Sequence, residues 1–171
     1  MLLKRVVPLV AAAALFAGCS PMPSTAVQVG DTRISEAQVD GVVASCESVG
    51  IGPDQVDRRT LVMSEILGAV AVEIAADLDQ TVTDEEALAV LRETAGESPA
   101  LNDPECARIA AAGSKLQILV AKLGEDADIA VLQQMFEDVD VDLNPRYGQW
   151  DPASGSTSGS GSLSAPAEAQ R

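Results

Sequence analysis

Apolar and polar residues alternate in two short stretches, one near each end of the chain. Residues 26–34 read Ala-Val-Gln-Val-Gly-Asp-Thr-Arg-Ile, and a Gly30-Asp31 turn in the middle predicts a tight β-hairpin. Residues 139–143 read Val-Asp-Val-Asp-Leu, which predicts a strand with one buried and one solvated face. Because a lone strand is not stable in water, we expect these N- and C-terminal strands to pair in a small antiparallel sheet.

Between these strands, apolar residues recur at helical spacing in segments that follow recognisable caps. Ser35 and Thr83 each begin a capping-box pattern, and Asp103 precedes a proline, as an N-cap residue often does. Helices are predicted over about residues 36–49, 54–79, 84–94, 104–123 and 126–138, with a loop over 96–102. The predicted fold is mainly α (α+β), a bundle of about five helices with a small antiparallel sheet.

The second predicted helix, over about residues 54–79, is expected to lie at the centre of the bundle. Its apolar residues spread over several faces, which is typical of a helix with neighbours on more than one side. Gly68 within it has no side chain, so a neighbouring helix can approach closely at that point.

Residues 1–18 have the pattern of an export signal. A basic start at Lys4 and Arg5 is followed by an apolar run that is too short to span a bilayer. The run ends Leu-Phe-Ala-Gly before Cys19, which resembles the lipobox of bacterial lipoproteins, where the cysteine is lipidated. An ordinary secretory signal with a chance cysteine is the alternative. With lipid on Cys19, residues 19–25 are a short tether, and the protein is exported and anchored to the extracytoplasmic face of the cell membrane.

The opposite end of the chain, residues 153–171, is dominated by Ser and Gly and shows no apolar periodicity. Such a composition cannot bury enough apolar surface to offset the entropy of ordering, so a flexible tail is predicted. The folded domain is therefore expected over residues 26–152.

The composition excludes several classes of function. The chain has 171 residues, a formal net charge of -15 and no histidine. Without histidine there is no Ser-His-Asp or Cys-His catalysis and no His-ligated zinc. The acidity argues against a nucleic-acid partner, because phosphate binding needs clustered Lys and Arg. No pair of carboxylates is isolated in an apolar setting, so neither an enzyme nor a cofactor is predicted.

One stretch of aspartates has the spacing of a metal-binding loop. Asp138, Asp140 and Asp142 match the first half of a calcium loop. However, Leu143 stands where that loop needs Gly, and Gln149 stands where it needs a bidentate Glu. No metal site is predicted, and the aspartates are interpreted as solvated residues of an edge strand.

Two cysteines remain once Cys19 is assigned to the lipid. Cys46 is on the inner face of the first predicted helix, and Cys106 is in the first turn of the fourth. Because such a pair usually oxidises outside the cytoplasm, a disulfide is predicted. Two buried free thiols are the alternative.

Three segments in this order resemble a known family. They are residues 27–40 (Val-Gln-Val-Gly-Asp-Thr-Arg-Ile-Ser-Glu-Ala-Gln-Val-Asp), 83–86 (Thr-Asp-Glu-Glu) and 144–151 (Asn-Pro-Arg-Tyr-Gly-Gln-Trp-Asp). Together they resemble the N-terminal chaperone domain of SurA-like and PrsA-like extracytoplasmic foldases, and most of all the short actinobacterial SurA-like lipoproteins. Larger members carry parvulin prolyl isomerase domains. This chain has no room for one and lacks the histidines, so the resemblance does not imply isomerase activity.

The resemblance implies a membrane-anchored, ATP-independent chaperone-like lipoprotein that binds unfolded or exported polypeptides through apolar surface. The candidate polypeptide-binding residues are Met63, Leu67, Met135, Phe136, Tyr147 and Trp150. Core filling is the alternative role for the Met-Phe pair at 135–136, and a latch whose rings cap the sheet is the alternative for the Tyr and Trp of the closing segment, residues 139–152. The alternative function is a structural lipoprotein that binds one specific cell-envelope partner.

Overall fold

The computed structural model describes residues 24–52, 56–124 and 128–159, which form six helices and two small antiparallel sheets. The strands are β1 (Thr25–Val29), β2 (Thr32–Ser35), β3 (Val141–Leu143), β4 (Gln149–Asp151) and β5 (Ser156–Ser158). The helices are α1 (Glu36–Ser48), α2 (Arg58–Asp77), α3 (Asp84–Ala95), α4 (Pro99–Asn102), α5 (Pro104–Leu123) and α6 (Ile129–Asp138). A 3₁₀ turn over Pro145–Tyr147 joins β3 to β4. The predicted fold class, mainly α with a small antiparallel sheet, is confirmed.

The sheet that joins the two ends of the chain has the strand order β2-β1-β3. The central strand β1 pairs antiparallel with both neighbours, with Val27 opposite Ile34 on one side and Leu143 on the other. Val27 is fully buried and its two partners are nearly so. The predicted pairing of the N- and C-terminal strands is therefore confirmed, and the apolar face of the sheet lies against the helices.

The predicted helix starts are observed as caps. The Ser35 and Thr83 side chains each accept a hydrogen bond from the backbone N–H three residues on, and Gln38 and Glu86 complete the two capping boxes. Asp103 accepts from two backbone N–H groups in the first turn of α5. The second helix begins at Arg58 rather than at residue 54, and residues 53–55 lie outside the described residues.

The core is built around α2 and α5, which pack closely along their length. Ile66, Ile74 and Leu119 are among the largest side chains that are fully buried there. The helices approach most closely at Gly68, where an added Cβ would lie 2.8–2.9 Å from the backbone and side chain of Ala112. The predicted central position of this helix and the close approach at Gly68 are both observed, since only glycine leaves space for the facing turn.

A second, smaller cluster of buried residues contains the disulfide. The Cys46 and Cys106 sulfurs are 2.09 Å apart, so the predicted pair is bonded and links α1 to the first turn of α5. Both cysteines are buried, together with Val42 and Ile109. Ser45 Oγ donates to Asp103 Oδ1 at 2.7 Å beside the bridge, which ties the same two helices together by a polar contact.

The structure differs from the sequence-based prediction in two segments. The loop predicted over residues 96–102 contains α4, a single turn capped by Ser98. The tail predicted from residue 153 is wrong for its first part, because Ser156–Ser158 form β5 and pair with Gln149–Asp151. The apolar pattern could not show this second pairing, because all three residues of β5 are Ser or Thr and show no apolar alternation.

The predicted signal, the lipidation site Cys19 and the first part of the tether lie in residues 1–23, and the rest of the tail lies in residues 160–171. Both segments are outside the described residues. In the part of the chain that the structure describes, none of the helices is long and apolar enough to cross a membrane.

Candidate functional site: an apolar groove beside the long helices

An apolar groove of about 560 Å³ lies between α2, α5 and α6, and the turn between β4 and β5 closes one side. Two polar side chains, Gln133 and Ser154, are among its lining residues, and no charged side chain is. The complete lining is Leu67, Ile74, Leu116, Leu119, Val120, Leu132, Gln133, Phe136, Pro152, Ala153, Ser154 and Gly155. The volume is within the range of ordinary ligand sites, which is about 300–1,000 Å³.

The groove stays open because α6 lies on the surface instead of sinking between α2 and α5. None of residues 130–138 is fully buried. Leu132, Met135 and Phe136 are partly buried against the main core, while the neighbouring Val131 keeps 51% of its surface exposed. On the opposite wall, Val120 of α5 is 46% exposed. Apolar side chains on both walls are thus left in contact with solvent, which costs free energy that a ligand would recover.

The turn between β4 and β5 closes the side of the groove next to α6. Gly155 has φ +59°, and a Cβ there would lie 3.2 Å from two ring carbons of Phe136. The Phe136 ring in turn packs against Trp150 at a centroid distance of 5.8 Å. The segment predicted to be a tail therefore supplies part of the groove, and the single Trp of the chain lies directly behind its aromatic wall.

A smaller pocket of about 330 Å³ adjoins this groove and shares Leu67 with it. It is lined by Arg59, Thr60, Met63, Ser64, Leu67, Gly113, Ser156 and Thr157. Their α2 residues run from Arg59 in the first turn to Ile74 in the last, so the two depressions together form an elongated surface along one face of that helix.

Tyr147 does not belong to either depression. Its side chain is 4% exposed, and its hydroxyl donates to Glu36 Oε2 at 2.6 Å and accepts from Arg58 Nη2 at 3.2 Å. The pKa of Tyr147 is raised above its ordinary value, mainly because the side chain is buried and also because its hydroxyl donates to Glu36. The hydrogen bond from Arg58 lowers this pKa and so acts in the opposite direction. Arg58 also pairs with Asp40, and this hydrogen bond is the largest cause of the raised pKa of Arg58.

The geometry around Tyr147 is that of a latch. Glu36 begins α1 and Arg58 begins α2, so the Tyr147 hydroxyl joins both helices to the closing segment. Arg146 adds an ion pair at 3.3 Å to Glu36, and Asn144 donates to the carbonyl of Thr25 at 2.9 Å. These contacts hold the C-terminal strand in place, and they leave the Tyr147 ring no surface for a ligand.

The structure thus divides the six predicted binding residues into two groups. Met63, Leu67 and Phe136 line the two depressions. The other three are Met135, Tyr147 and Trp150, which pack against the main core. For Tyr147 the latch interpretation fits better, because its hydroxyl joins the starts of α1 and α2 to the closing segment. Trp150 is partly buried and packs against Phe136.

In the sequence, most groove residues are recognisable only as members of the apolar face of a predicted helix. Leu116, Leu119 and Leu132 belong to the apolar faces predicted for their helices, and periodicity does not distinguish a core position from a groove wall. The turn at 152–155 carried no signal, because it lies in the Ser- and Gly-rich segment.

The described residues contain no group of three or more His, Cys, Asp or Glu side chains placed to hold a metal ion. Comparisons of the chain with protein-family models, with curated proteins and with solved structures found no match.

Proposed function

We propose that this protein is a chaperone-like, ATP-independent lipoprotein that binds unfolded or exported polypeptides outside the cytoplasm. The observation that carries the proposal is the apolar groove between α2, α5 and α6. The proposal includes no enzymatic step, nucleic acid or cofactor.

The groove suits a polypeptide because its lining attracts apolar side chains without selecting a particular polar partner. Burying one Leu or Phe side chain contributes about 1.5–3 kcal/mol. A groove of about 560 Å³ takes a few such side chains, so binding is expected to be moderate and reversible without ATP. With Gln133 and Ser154 as the polar lining side chains, little hydrogen-bond selectivity is built in, which fits many clients rather than one.

The proposed location rests on the lipobox-like sequence at Cys19, which lies outside the described residues. The first described strand, β1, starts at Thr25, six residues after Cys19. The six residues from Cys19 to this strand reach at most roughly 20 Å when extended. A domain anchored by lipid at that cysteine would therefore receive polypeptides at the membrane surface.

The proposal is tested by measuring how fast a reduced, unfolded exported protein aggregates, with and without the full chain carrying Cys19→Ser. This substitution prevents lipidation. The wild-type groove is expected to slow aggregation. Leu67→Gln with Val120→Gln should weaken client binding by at least about tenfold, since each change removes apolar contact area. An equal aggregation rate with and without the protein would contradict the proposal.

The matched control is Val72→Gln with Val90→Gln. These valines are 40% and 44% exposed, similar to Val120, but neither lines the groove. Circular dichroism and a melting curve should show that both double variants remain folded. A crosslinking pull-down that yields one dominant envelope partner instead of many clients would favour the alternative, a lipoprotein dedicated to one partner.

A further inference from the structure

Each polar side chain that lines the groove is hydrogen-bonded to a carboxylate outside it. Gln133 Nε2 donates to Glu137 Oε1 at 3.4 Å on the α6 side. Ser154 Oγ donates to Asp151 Oδ2 at 2.7 Å on the turn side. Two negative charges therefore stand at the edges of a groove whose lining is uncharged.

Within the described residues, neither Glu137 nor Asp151 takes part in a salt bridge. The two lysines of α5 are engaged on another side, since Lys115 pairs with Asp84 at 2.6 Å and Lys122 with Glu86 at 2.7 Å. The edge of the groove is therefore acidic on a chain that already carries a net charge of -15.

The smaller pocket has one charged lining residue, at the N-terminal end of α2. Arg59 lines the smaller pocket, eight residues before Leu67, which is roughly 12 Å along a helix. Its guanidinium donates to the carbonyls of Tyr147 and Gly159 at the base of the β4–β5 hairpin. Its charge is therefore separated from the carboxylates at the hairpin turn and on α6.

We propose that the preferred occupant is an apolar peptide segment flanked by Lys or Arg, whose apolar residues fill the groove while its cations meet Glu137 and Asp151. This specificity rests on the proposed polypeptide-binding function. The uncharged lining disfavours a charge inside the groove, because an unpaired ion would lose its hydration there. Carboxylates at the edge attract cations in water and repel acidic segments, and the overall negative field speeds the encounter with basic peptides.

The test uses the full chain with Cys19→Ser and three short tryptophan-free peptides that share one leucine- and alanine-rich centre. Their flanking residues are lysines, serines or glutamates. Trp150 is the chain's only Trp and packs against Phe136 of the groove wall, so its fluorescence reports binding. The lysine-flanked peptide is expected to bind about fivefold tighter than the serine-flanked one, since exposed ion pairs contribute modestly. The glutamate-flanked peptide should bind weakest.

Glu137→Gln with Asp151→Asn should lower the affinity for the lysine-flanked peptide to that for the serine-flanked one, which abolishes the difference between the two peptides. Both amides keep an oxygen that can accept the existing hydrogen bonds from Gln133 and Ser154. The matched control is Glu47→Gln with Glu97→Gln, which removes the same charge from exposed positions near the disulfide end and should keep the difference. Raising NaCl to about 0.5 M should also reduce the difference, because the Debye length falls to roughly 4 Å.

The outcomes separate this inference from the function on which it rests. If none of the peptides binds, the proposed polypeptide-binding function fails, and the inference fails with it. If all three bind equally, or if the preference for lysine survives in the Glu137→Gln, Asp151→Asn variant, only the charge preference is overturned. A preference for the lysine-flanked peptide that is lost in that variant and kept in the control supports the proposed charge preference.

Discussion

At the scale of single residues, the most informative side chain is Tyr147. Its position in the closing segment marked it as a candidate for binding, but the buried hydroxyl contacts Glu36 and Arg58 at the starts of two helices. Glu36 and Arg58 also pair directly at 2.7 Å, so the phenol hydroxyl adds one hydrogen bond to each member of an existing ion pair. The role of this residue is therefore to hold the chain end onto the bundle.

The raised pKa of Tyr147 predicts a loss of stability at alkaline pH. Its pKa is higher in the folded chain than in the unfolded chain, where it is about 10. The stabilisation from keeping the neutral phenol is fully present below that unfolded value and is lost as pH rises through the folded pKa. Because the chain has a single Tyr, its absorbance near 295 nm measures this group alone. We expect Tyr147 to lose its proton at a higher pH in the native protein than in the denatured protein.

Tyr147→Phe is the control for this prediction. The variant retains the ring but leaves Glu36 without its hydroxyl donor, so it should lose about 1–3 kcal/mol of unfolding free energy near neutral pH. Its stability should then decrease less steeply than that of wild type between neutral and strongly alkaline pH. Identical titration of Tyr147 in the native and denatured chains would contradict the assigned burial and hydrogen bond.

At the scale of elements, the contact between α2 and α5 decides how the other helices are placed. The closest approach requires Gly68, because the facing turn at Ala112 occupies the position of a Cβ. The groove begins beside this contact, because Leu67 is next to Gly68, and its other α2 and α5 residues lie further along each helix. The close approach therefore fixes the α2 and α5 walls of the groove, while α6 and the β4–β5 turn form the rest.

Gly68→Ala is expected to destabilise the protein by about 1–2 kcal/mol. Overpacking against Ala112 costs about 1–3 kcal/mol, which exceeds the gain of up to about 1 kcal/mol from replacing glycine in a helix. Gly41→Ala is the matched control, because an added Cβ on this α1 glycine meets nothing within 4 Å. That variant should gain about 0.5–1 kcal/mol. Urea unfolding of both variants measures the difference, and equal effects would rule out the close approach.

At the scale of the whole molecule, two devices link segments that are distant in sequence. The β1–β3 pairing brings the two ends of the described chain together, and the Cys46–Cys106 bridge joins α1 to α5 across a separation of 60 residues. The paired strands belong to the main core and the bridge belongs to the smaller cluster. Each of the two buried clusters thus contains one of these long-range links.

Replacing both cysteines, Cys46→Ala with Cys106→Ala, should lower the free energy of unfolding by about 4 kcal/mol. This value follows from the chain entropy of a loop closed by residues 60 apart. Chemical denaturation with and without a reductant measures it. Reductant should destabilise the wild type by a similar amount and leave the double variant unchanged. A wild type that is indifferent to reductant would contradict a stabilising bridge.

Much of the fold was predictable because its signals are local. The capping boxes at Ser35 and Thr83 and the N-cap at Asp103 depend on residues within one turn, and all three were observed. The short helix α4 was missed although Ser98 and a following proline mark its start, because one turn is too short to show a period. The strand β5 was missed because its Ser and Thr residues show no apolar alternation.

By itself, the sequence determined the order and type of most elements, the antiparallel pairing of the two ends and the cysteines that bond. These features depend on periodicity, caps and composition, which neighbouring residues carry. The packing of the helices was needed to show that Leu67 and Phe136 line a groove, and to choose the latch over binding for Tyr147. The physical reason is that an apolar residue has the same pattern in a core and in a groove wall. The difference arises from how closely α6 and the β4–β5 turn pack against α2 and α5.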